Sequence, residues 1–309
     1  MKVVILTPVF NDWASLSQLV SHIKQVMSEV DVDYSILTVN DDSSEPPDLS
    51  GLDVPCKVLN LTCNLGHQRA IAIGLAQLSD AEEFDAVIVM DADGEDKPEY
   101  IPELIAKHQQ SPEAIVLARR DKRSESGAFR LGYNLYRMMF RLCTGRNLRF
   151  GNFCLIPRLA AQRLVFQESI WNHMAATILR SRFELIMLPT ERGERFTGQT
   201  SMNFGSLILL GLSAVSVYVD VVVLRILFGS FFLGAVAITG IVAAIAIRLL
   251  TDAAIPGWAS TVVGSMVIIL VQSVIVSVLL LFVMLSNRSQ RGFVAARHYQ
   301  EYVLNVTNV

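Results

Sequence analysis

VIVMDADGEDKPEY, residues 87–100, is the stretch whose reading decides the fold. Val87 to Met90 is apolar and β-branched at its first three positions, and the chain then turns acidic at Asp91. A run this short, closed by turn residues, reads as a strand buried on both faces. Alternate residues of an extended segment point the same way, so Asp91, Asp93 and Glu95 can converge on one hard cation. Mg²⁺ and Mn²⁺ favour such oxygen ligands and commonly take one or two carboxylates together with substrate phosphates. A lone D-x-D can equally be a solvated acidic turn. Here it closes an apolar strand, and three other polar strand ends accompany it, which favours an ion-binding edge.

The same pattern repeats outward from this strand. Val3 to Val9, Tyr34 to Asn40, Lys57 to Leu61, Ala86 to Met90 and Ala114 to Ala118 are short apolar runs. Between them, Trp13 to Met27, Gln68 to Leu78 and Glu99 to Gln109 carry helical spacing. The alternation predicts an α/β fold, a mostly parallel sheet with helices on both faces. Ligands of such sheets bind outside the carboxyl ends of the strands. That rule selects Pro8 to Asp12, Asn40 to Ser44, Asn64 to His67 and Asp91 to Asp96. No P-loop or G-x-G-x-x-G occurs among them.

Composition separates two regions. The chain has 309 residues, 52% hydrophobic and 18% charged, with a mean hydropathy of +0.42. A soluble domain carries about 25% charge. Residues 204–286 contain four of the 55 charged side chains: Asp220, Arg225, Arg248 and Asp252. This excludes both a wholly soluble protein and a polytopic transporter. The net charge of −3 gives no reason to expect nucleic acid as a partner. Cys56, Cys63, Cys143 and Cys154 form no C-x-x-C pair, so reduced thiols are expected. Val3 to Phe10 contains Pro8 and is followed by Asn11-Asp12, which fits a first strand and not a signal peptide.

The expected organisation is a catalytic domain over 1–205, a membrane region over 206–286 and a tail over 287–309. Within the membrane region, a lead-in at 206–225 precedes two transmembrane helices at about 226–248 and 261–286, since one crossing needs ~20 residues. Arginines at 192, 195, 288, 291 and 297 flank the pair, while the turn between them has only Arg248 beside an acid. The positive-inside rule then puts both termini in the cytoplasm, joined by a helical hairpin. Asp220 and Arg225 fit an interfacial segment better than an intramembrane ion site. Residues 127–144 place Arg130, Arg137 and Arg141 on one line of an otherwise apolar helix. Such a helix either lies at an anionic membrane surface or packs on the domain with one wet face.

Eight segments, in order, resemble one family. They are TPVFND (7–12), VNDDSS (39–44), NLGHQRAIAIGLA (64–76), MDADGEDKPE (90–99), LARR (117–120), GNFCLIPR (151–158), RGERFTGQTS (192–201) and IPGWAS (255–260). Together they resemble family 2 glycosyltransferases of the polyprenyl-phosphate type, similar to dolichyl-phosphate mannose synthases and bactoprenol glucosyltransferases. The resemblance implies a GT-A (Rossmann-like) domain followed by a two-helix membrane hairpin. It also implies an inverting, metal-dependent transfer of a sugar from a nucleoside diphosphate, by default UDP-glucose, to a polyprenyl phosphate such as undecaprenyl phosphate. Implied with it are a Mg²⁺ or Mn²⁺ cofactor, a multi-pass protein of the bacterial inner membrane serving the cell envelope, and a homotetramer.

Carried over by position, the resemblance implies that Pro8, Phe10 and Asp12 line the base and ribose and that Asp41 contacts the nucleoside. Asp91 and Asp93 form the D-x-D pair, the metal is held by Asp93 and Glu95, and Arg119 faces phosphate. Arg192 and Arg195 meet the lipid phosphate from a mobile segment. The chain departs from the pattern at Glu95 (usually Gln), Lys97 (usually Pro), Ser201 (often Lys) and Asn152, where relatives carry Asp. Asn152 accepts no proton at neutral pH, which leaves it a positioning role. A phosphate monoester, with a second pKa near ~6, is mostly dianionic there and needs little help from a base. Two other readings are a membrane glycosyltransferase with a different lipid or glycan acceptor, and a weakly active nucleotide-sugar-binding membrane protein.

Overall fold

A computed structural model describes residues 1–45, 54–81, 83–120, 138–147, 150–197, 204–250, 257–289 and 292–308. The chain divides into two units. The first comprises Met1–Arg141, Arg146–Val217 and Gly292–Val309; the second comprises Leu142–Gly145 and Tyr218–Arg291.

The first unit is built on eight strands: β1 Lys2–Val9, β2 Asp33–Asn40, β3 Cys56–Leu61, β4 Ala86–Val89, β5 Ile115–Arg120, β6 Cys154–Pro157, β7 Leu185–Thr190 and β8 Val303–Asn308. They form one sheet in the order β7-β5-β6-β4-β1-β2-β3-β8. β1 runs parallel to β2 and β4, β2 parallel to β3, and β5 parallel to β7. β6 reverses against both β4 and β5, and β8 reverses against β3, so the sheet is mixed. All five expected strands form, and they include the parallel centre.

Both faces of the centre are buried, as its unbroken apolar runs require. In β1, Val4 and Leu6 enter one core with Ile71 and Phe84, while Val3 and Ile5 enter the other with Leu16, Leu19 and Ile101. Helix α1 (Trp13–Met27) lies on the second face through Leu16, Leu19, Val20, Ile23 and Met27, a 3–4 residue spacing. Its start is capped by Asp12, which accepts from Ser15 N at 3.4 Å. Helix α2 (His67–Ala81) covers the first face. A Cβ at its Gly74 would lie 2.5 Å from Leu6 and 2.8 Å from Val39, so glycine lets the helix sit close on the sheet.

Residues 292–308, beyond the expected membrane helices, fold back into the first unit. Phe293 packs on Trp171 with centroids 3.8 Å apart, and Tyr299 donates to Asp80 at 2.5 Å. β8 then completes the sheet, with an asparagine ladder running from Asn40 to Asn60 to Asn305 at 2.8 and 2.7 Å. The lead-in helix Phe204–Ser216 also belongs to this unit, and Arg180 donates to the carbonyl of Val217 at its end.

The second unit contains helices Val219–Leu250 and Trp258–Ser289. Each has 32 residues, about 48 Å at 1.5 Å per residue. By length and composition each can cross a membrane. Gly234 faces Ser273 and Gly240 faces Met266, so the helices pack antiparallel through small residues. Arg225 donates to the Leu142 carbonyl at 2.5 Å, which gives its charge a local partner. Of the expected amphipathic helix, residues 138–144 are helical, with Met138 and Leu142 exposed. Arg130, Arg137 and the rest of its N-terminal part lie outside the described residues.

Candidate active site

The four polar strand ends do meet at one edge of the sheet. β4 hands the chain to the D-x-D loop, where Met90 N–H still bonds Leu6 O at 3.1 Å. Asp91 N–H then donates to Asp96 Oδ2 at 3.1 Å. Asp96 is buried and braces the loop from within. Glu95 N–H donates to Asp93 Oδ1 at 3.0 Å, an Asx turn that Gly94 permits with a φ of +86°. Burial is the main influence raising the Asp93 pKa above the ordinary carboxylate value. Repulsion from Asp91 and Glu95 adds to it, and the Glu95 N–H and Arg195 oppose it.

A strap at residues 191–197 lies across this loop. Gly193 N–H bonds Glu95 O at 2.8 Å and Phe196 N–H bonds Asp93 O at 3.0 Å. The Arg195 guanidinium reaches Asp93 Oδ2 at 2.6 Å and Glu95 Oε1 at 3.1 Å, and Arg192 reaches the same Glu95 oxygen at 2.5 Å. A Cβ at Gly193 would lie 2.2 Å from Gly94 O, so only glycine allows this approach. Thr197 donates to Asp12 Oδ1 at 3.1 Å and lies 2.6 Å from Ser15 Oγ, which ties the strap to the start of α1.

The donor set suits a divalent cation. One guanidinium is shared by Asp93 and Glu95, so both carboxylates can face a single cation. Among the described residues, no three His, Cys, Asp or Glu side chains converge as a ready-made cluster. Two protein carboxylates completed by substrate phosphates is the arrangement Mg²⁺ and Mn²⁺ commonly take.

Asp91 faces elsewhere. Its Oδ1 lies 3.2 Å from His67 Nε2, and the same nitrogen is 2.7 Å from Asn152 Nδ2. Asn152 Oδ1 accepts from Gln68 Nε2 at 3.1 Å, and Gln68 Oε1 accepts from the Met174 N–H at 2.8 Å. That backbone donor fixes the polarity of the whole chain of amides: it requires Gln68 Oε1, which turns the Asn152 NH₂ toward His67. Burial, the largest influence, lowers the His67 pKa, but the attraction and hydrogen bond of Asp91, with Asp96 and Asp93 behind it, leave it raised.

The remaining expected residues fall around this edge. Phe10 is 52% exposed just past β1, a ring free to stack on a planar partner. Pro8 is buried within β1 opposite Val39. Asp41 is buried, with Oδ1 accepting from Leu65 N at 2.7 Å and Oδ2 from Gly66 N at 2.9 Å. Burial raises its pKa, against those two hydrogen bonds. Arg119 lies near the end of β5, where Ala118 N–H bonds Phe153 O beside Asn152. Gln68, Ser15 and Thr197 were not singled out in the sequence. A His-Gln pair opening a helix at the carboxyl edge was the available signal for the first.

The model of Glycosyl transferase family 2 matches residues 4–169, more than half of the chain and every strand end just described. The chain belongs to glycosyl transferase family 2. Among similar proteins is the uncharacterized glycosyltransferase YkcC of Bacillus subtilis (strain 168). It is 24% identical over 84% of this chain and 81% of its own length. The undecaprenyl-phosphate 4-deoxy-4-formamido-L-arabinose transferase of Enterobacter sp. (strain 638) is 26% identical over 84% of this chain and 79% of its own.

Two solved structures share the fold at a TM-score of 0.50. Mannosyl-3-phosphoglycerate synthase from Rubrobacter xylanophilus is 15% identical and covers 70% of this chain and 72% of its own. Glucosyl-3-phosphoglycerate synthase from Mycobacterium tuberculosis, in complex with Mn²⁺, UDP-glucose and phosphoglyceric acid, is 13% identical and covers 72% and 79%. The family match and these likenesses give a GT-A-like α/β fold: the alternation of strands and helices predicts its α/β class, and the family resemblance its GT-A type.

Proposed function

We propose that the protein is a membrane-anchored, metal-dependent inverting hexosyltransferase that moves a sugar from a nucleoside diphosphate to a polyprenyl phosphate. The observation that carries this reading is the pairing, on one chain, of an acid-and-arginine site at the sheet edge with two membrane-length helices. The undecaprenyl-phosphate transferase among its relatives supports a lipid acceptor, and the Mn²⁺ and UDP-glucose complex of a solved relative supports the donor and metal classes. UDP-glucose is the default donor and undecaprenyl phosphate the default acceptor. A catalytic domain facing the cytoplasm, anchored in the bacterial inner membrane by the two apolar helices, and a homotetramer belong to the same proposal. The expected limits at 205/206 and 286/287 give way to the first unit's own extent, which takes in residues up to Val217 and the return from Gly292.

In this reading an acceptor phosphate oxygen attacks the sugar C1 as the bond from C1 to the diphosphate oxygen breaks, with inversion, and the nucleoside diphosphate departs. Phe10 stacks on the base and Asp12 lines the ribose, while Pro8, buried in β1, and Asp41, held by the Leu65 and Gly66 amides, fix the strand ends beside them. Asp93 and Glu95 would hold Mg²⁺ or Mn²⁺, which would supply charge neutralisation at the leaving diphosphate. Arg119, Arg192 and Arg195 bind and orient phosphate through paired N–H donors. Asn152 orients the His67 ring through its amide, and the dianionic acceptor supplies its own nucleophile.

The test uses full-length protein in detergent with undecaprenyl phosphate, Mg²⁺ or Mn²⁺ and a panel of labelled nucleotide sugars. Label from one donor should enter the lipid phase and vanish with EDTA. Asp93→Asn should lower the rate at least about 100-fold, the worth of ~3 kcal/mol of charge stabilisation. Transfer that survives EDTA unchanged would rule out the metal role.

A further inference from the structure

Asp93 and Glu95 already serve a cation: the strap's own arginines. Arg195 bridges both carboxylates at 2.6 and 3.1 Å, and Arg192 shares Glu95 Oε1 at 2.5 Å. These pairs are held by more than charge. Two backbone hydrogen bonds zip residues 193 and 196 to residues 95 and 93, and Gly193 abuts the Gly94 carbonyl. Thr197 fastens the far end to Asp12. Glu95 and Asp93 are both mostly buried beneath the strap, so neither carboxylate is simply a solvated surface acid.

We infer that Glu95 is a positioning residue for Arg192 and Arg195: the Asp93–Glu95 pair holds either the two strap arginines or a divalent cation. Loading the metal thereby releases both guanidiniums toward substrate phosphate. The inference rests on the proposed transferase reading and adds a coupling to it. Two carboxylates cannot give their full negative charge to a guanidinium and a divalent ion at once. A bound cation also repels a guanidinium a few ångströms away. Gln at position 95 would still offer an oxygen to a metal, but it would hold the arginines with a neutral acceptor and a weaker grip. The acid at this position makes the exchange pronounced in this chain.

The test needs no sugar transfer. Full-length protein in detergent is titrated with Mn²⁺ alone, with binding read by electron paramagnetic resonance. Hydrogen exchange of residues 191–197 is followed in parallel. In the wild type, Mn²⁺ should raise exchange of the Gly193 and Phe196 amides at least about fivefold. Arg192→Gln/Arg195→Gln should bind Mn²⁺ about tenfold more tightly, because the competing cations are gone. Glu95→Gln should show raised strap exchange before any metal is added, a second readout independent of metal affinity. Unchanged or weaker Mn²⁺ binding in the double variant, or strap exchange indifferent to both Mn²⁺ and Glu95→Gln, overturns the exchange. Failure of every folded variant to bind Mn²⁺ would instead strike at the metal-dependent transferase reading itself, so the two failures are distinguishable.

Discussion

Asn152 is where two demands on His67 meet. The Met174 N–H, passed through Gln68, turns an amide donor toward Nε2, while Asp91 3.2 Å away favours a proton on that same nitrogen. Asn152→Asp removes the conflict. Its carboxylate accepts from Gln68 on one oxygen and from a protonated His67 on the other. The His67 pKa should therefore rise by about one unit, worth ~1.4 kcal/mol. An NMR titration of labelled histidine, with His67→Gln to assign the signal, checks this. An unchanged pKa would show that the amide chain does not set the ring's state. The acids and arginines of this edge were legible in the sequence because D-x-D, the LARR strand end and the RGER run carry charge at recognisable places. The Gln68–Asn152 link and Thr197 were not, because neutral amides and hydroxyls gain meaning only from partners 84 and 185 residues away.

At the scale of elements, the short helix Met174–Arg180 carries a titratable cap. His173 Nδ1 accepts from Ala176 N at 3.3 Å, and burial, with the neighbouring charge of His67, holds its pKa down at about 4. The unfolded chain takes up that proton near pH ~6.5. Below this pH the unfolded state binds a proton that the folded state refuses, so stability falls from pH 6.5 to about pH 4 and levels off beneath. The loss at full extent is about 3 kcal/mol. His173→Asn keeps an acceptor at the cap and cannot titrate, so chemical unfolding followed between pH 7 and 4 should show a flatter profile for the variant. Equal slopes would mean that His173 is not the group responsible. Strands β1 to β5 and helix α1 were readable because apolar runs and helical spacing alternate cleanly there. β6 is only four residues long. β7 has half-exposed alternate positions, and β8 shows its side chains largely to solvent. β8 lacks the continuous apolar run that marks a buried strand, while β6 and β7 carry only the short runs Phe153–Ile156 and Leu185–Leu188, outside the clean strand–helix alternation of the first 120 residues.

At the scale of the molecule, the chain leaves its first unit at Val217 and re-enters it at Gly292. The pattern of charge revealed the two apolar helices between these points but not the return, since NRSQRGFVAARHY reads as a polar tail. The return has a consequence for topology. β8 pairs with β3 along Lys57 to Leu61, and Tyr299 is buried against helix α2, so residues 292–308 must occupy the same compartment as residues 1–217. A chain that starts and ends on one side crosses a bilayer an even number of times. In the proposed membrane-anchored reading, the two antiparallel helices of membrane length then make one hairpin with its turn on the far side. In intact cells, a membrane-impermeant thiol reagent should label Ser260→Cys beside the turn. Native Cys63 and an introduced Thr307→Cys, both exposed in the first unit, should react only after the membrane is opened. Labelling of position 307 from outside, with position 260 protected, would reverse the orientation while keeping the hairpin. Labelling of 307 and Cys63 on opposite sides would break the even count, and with it the pairing of β8 onto β3.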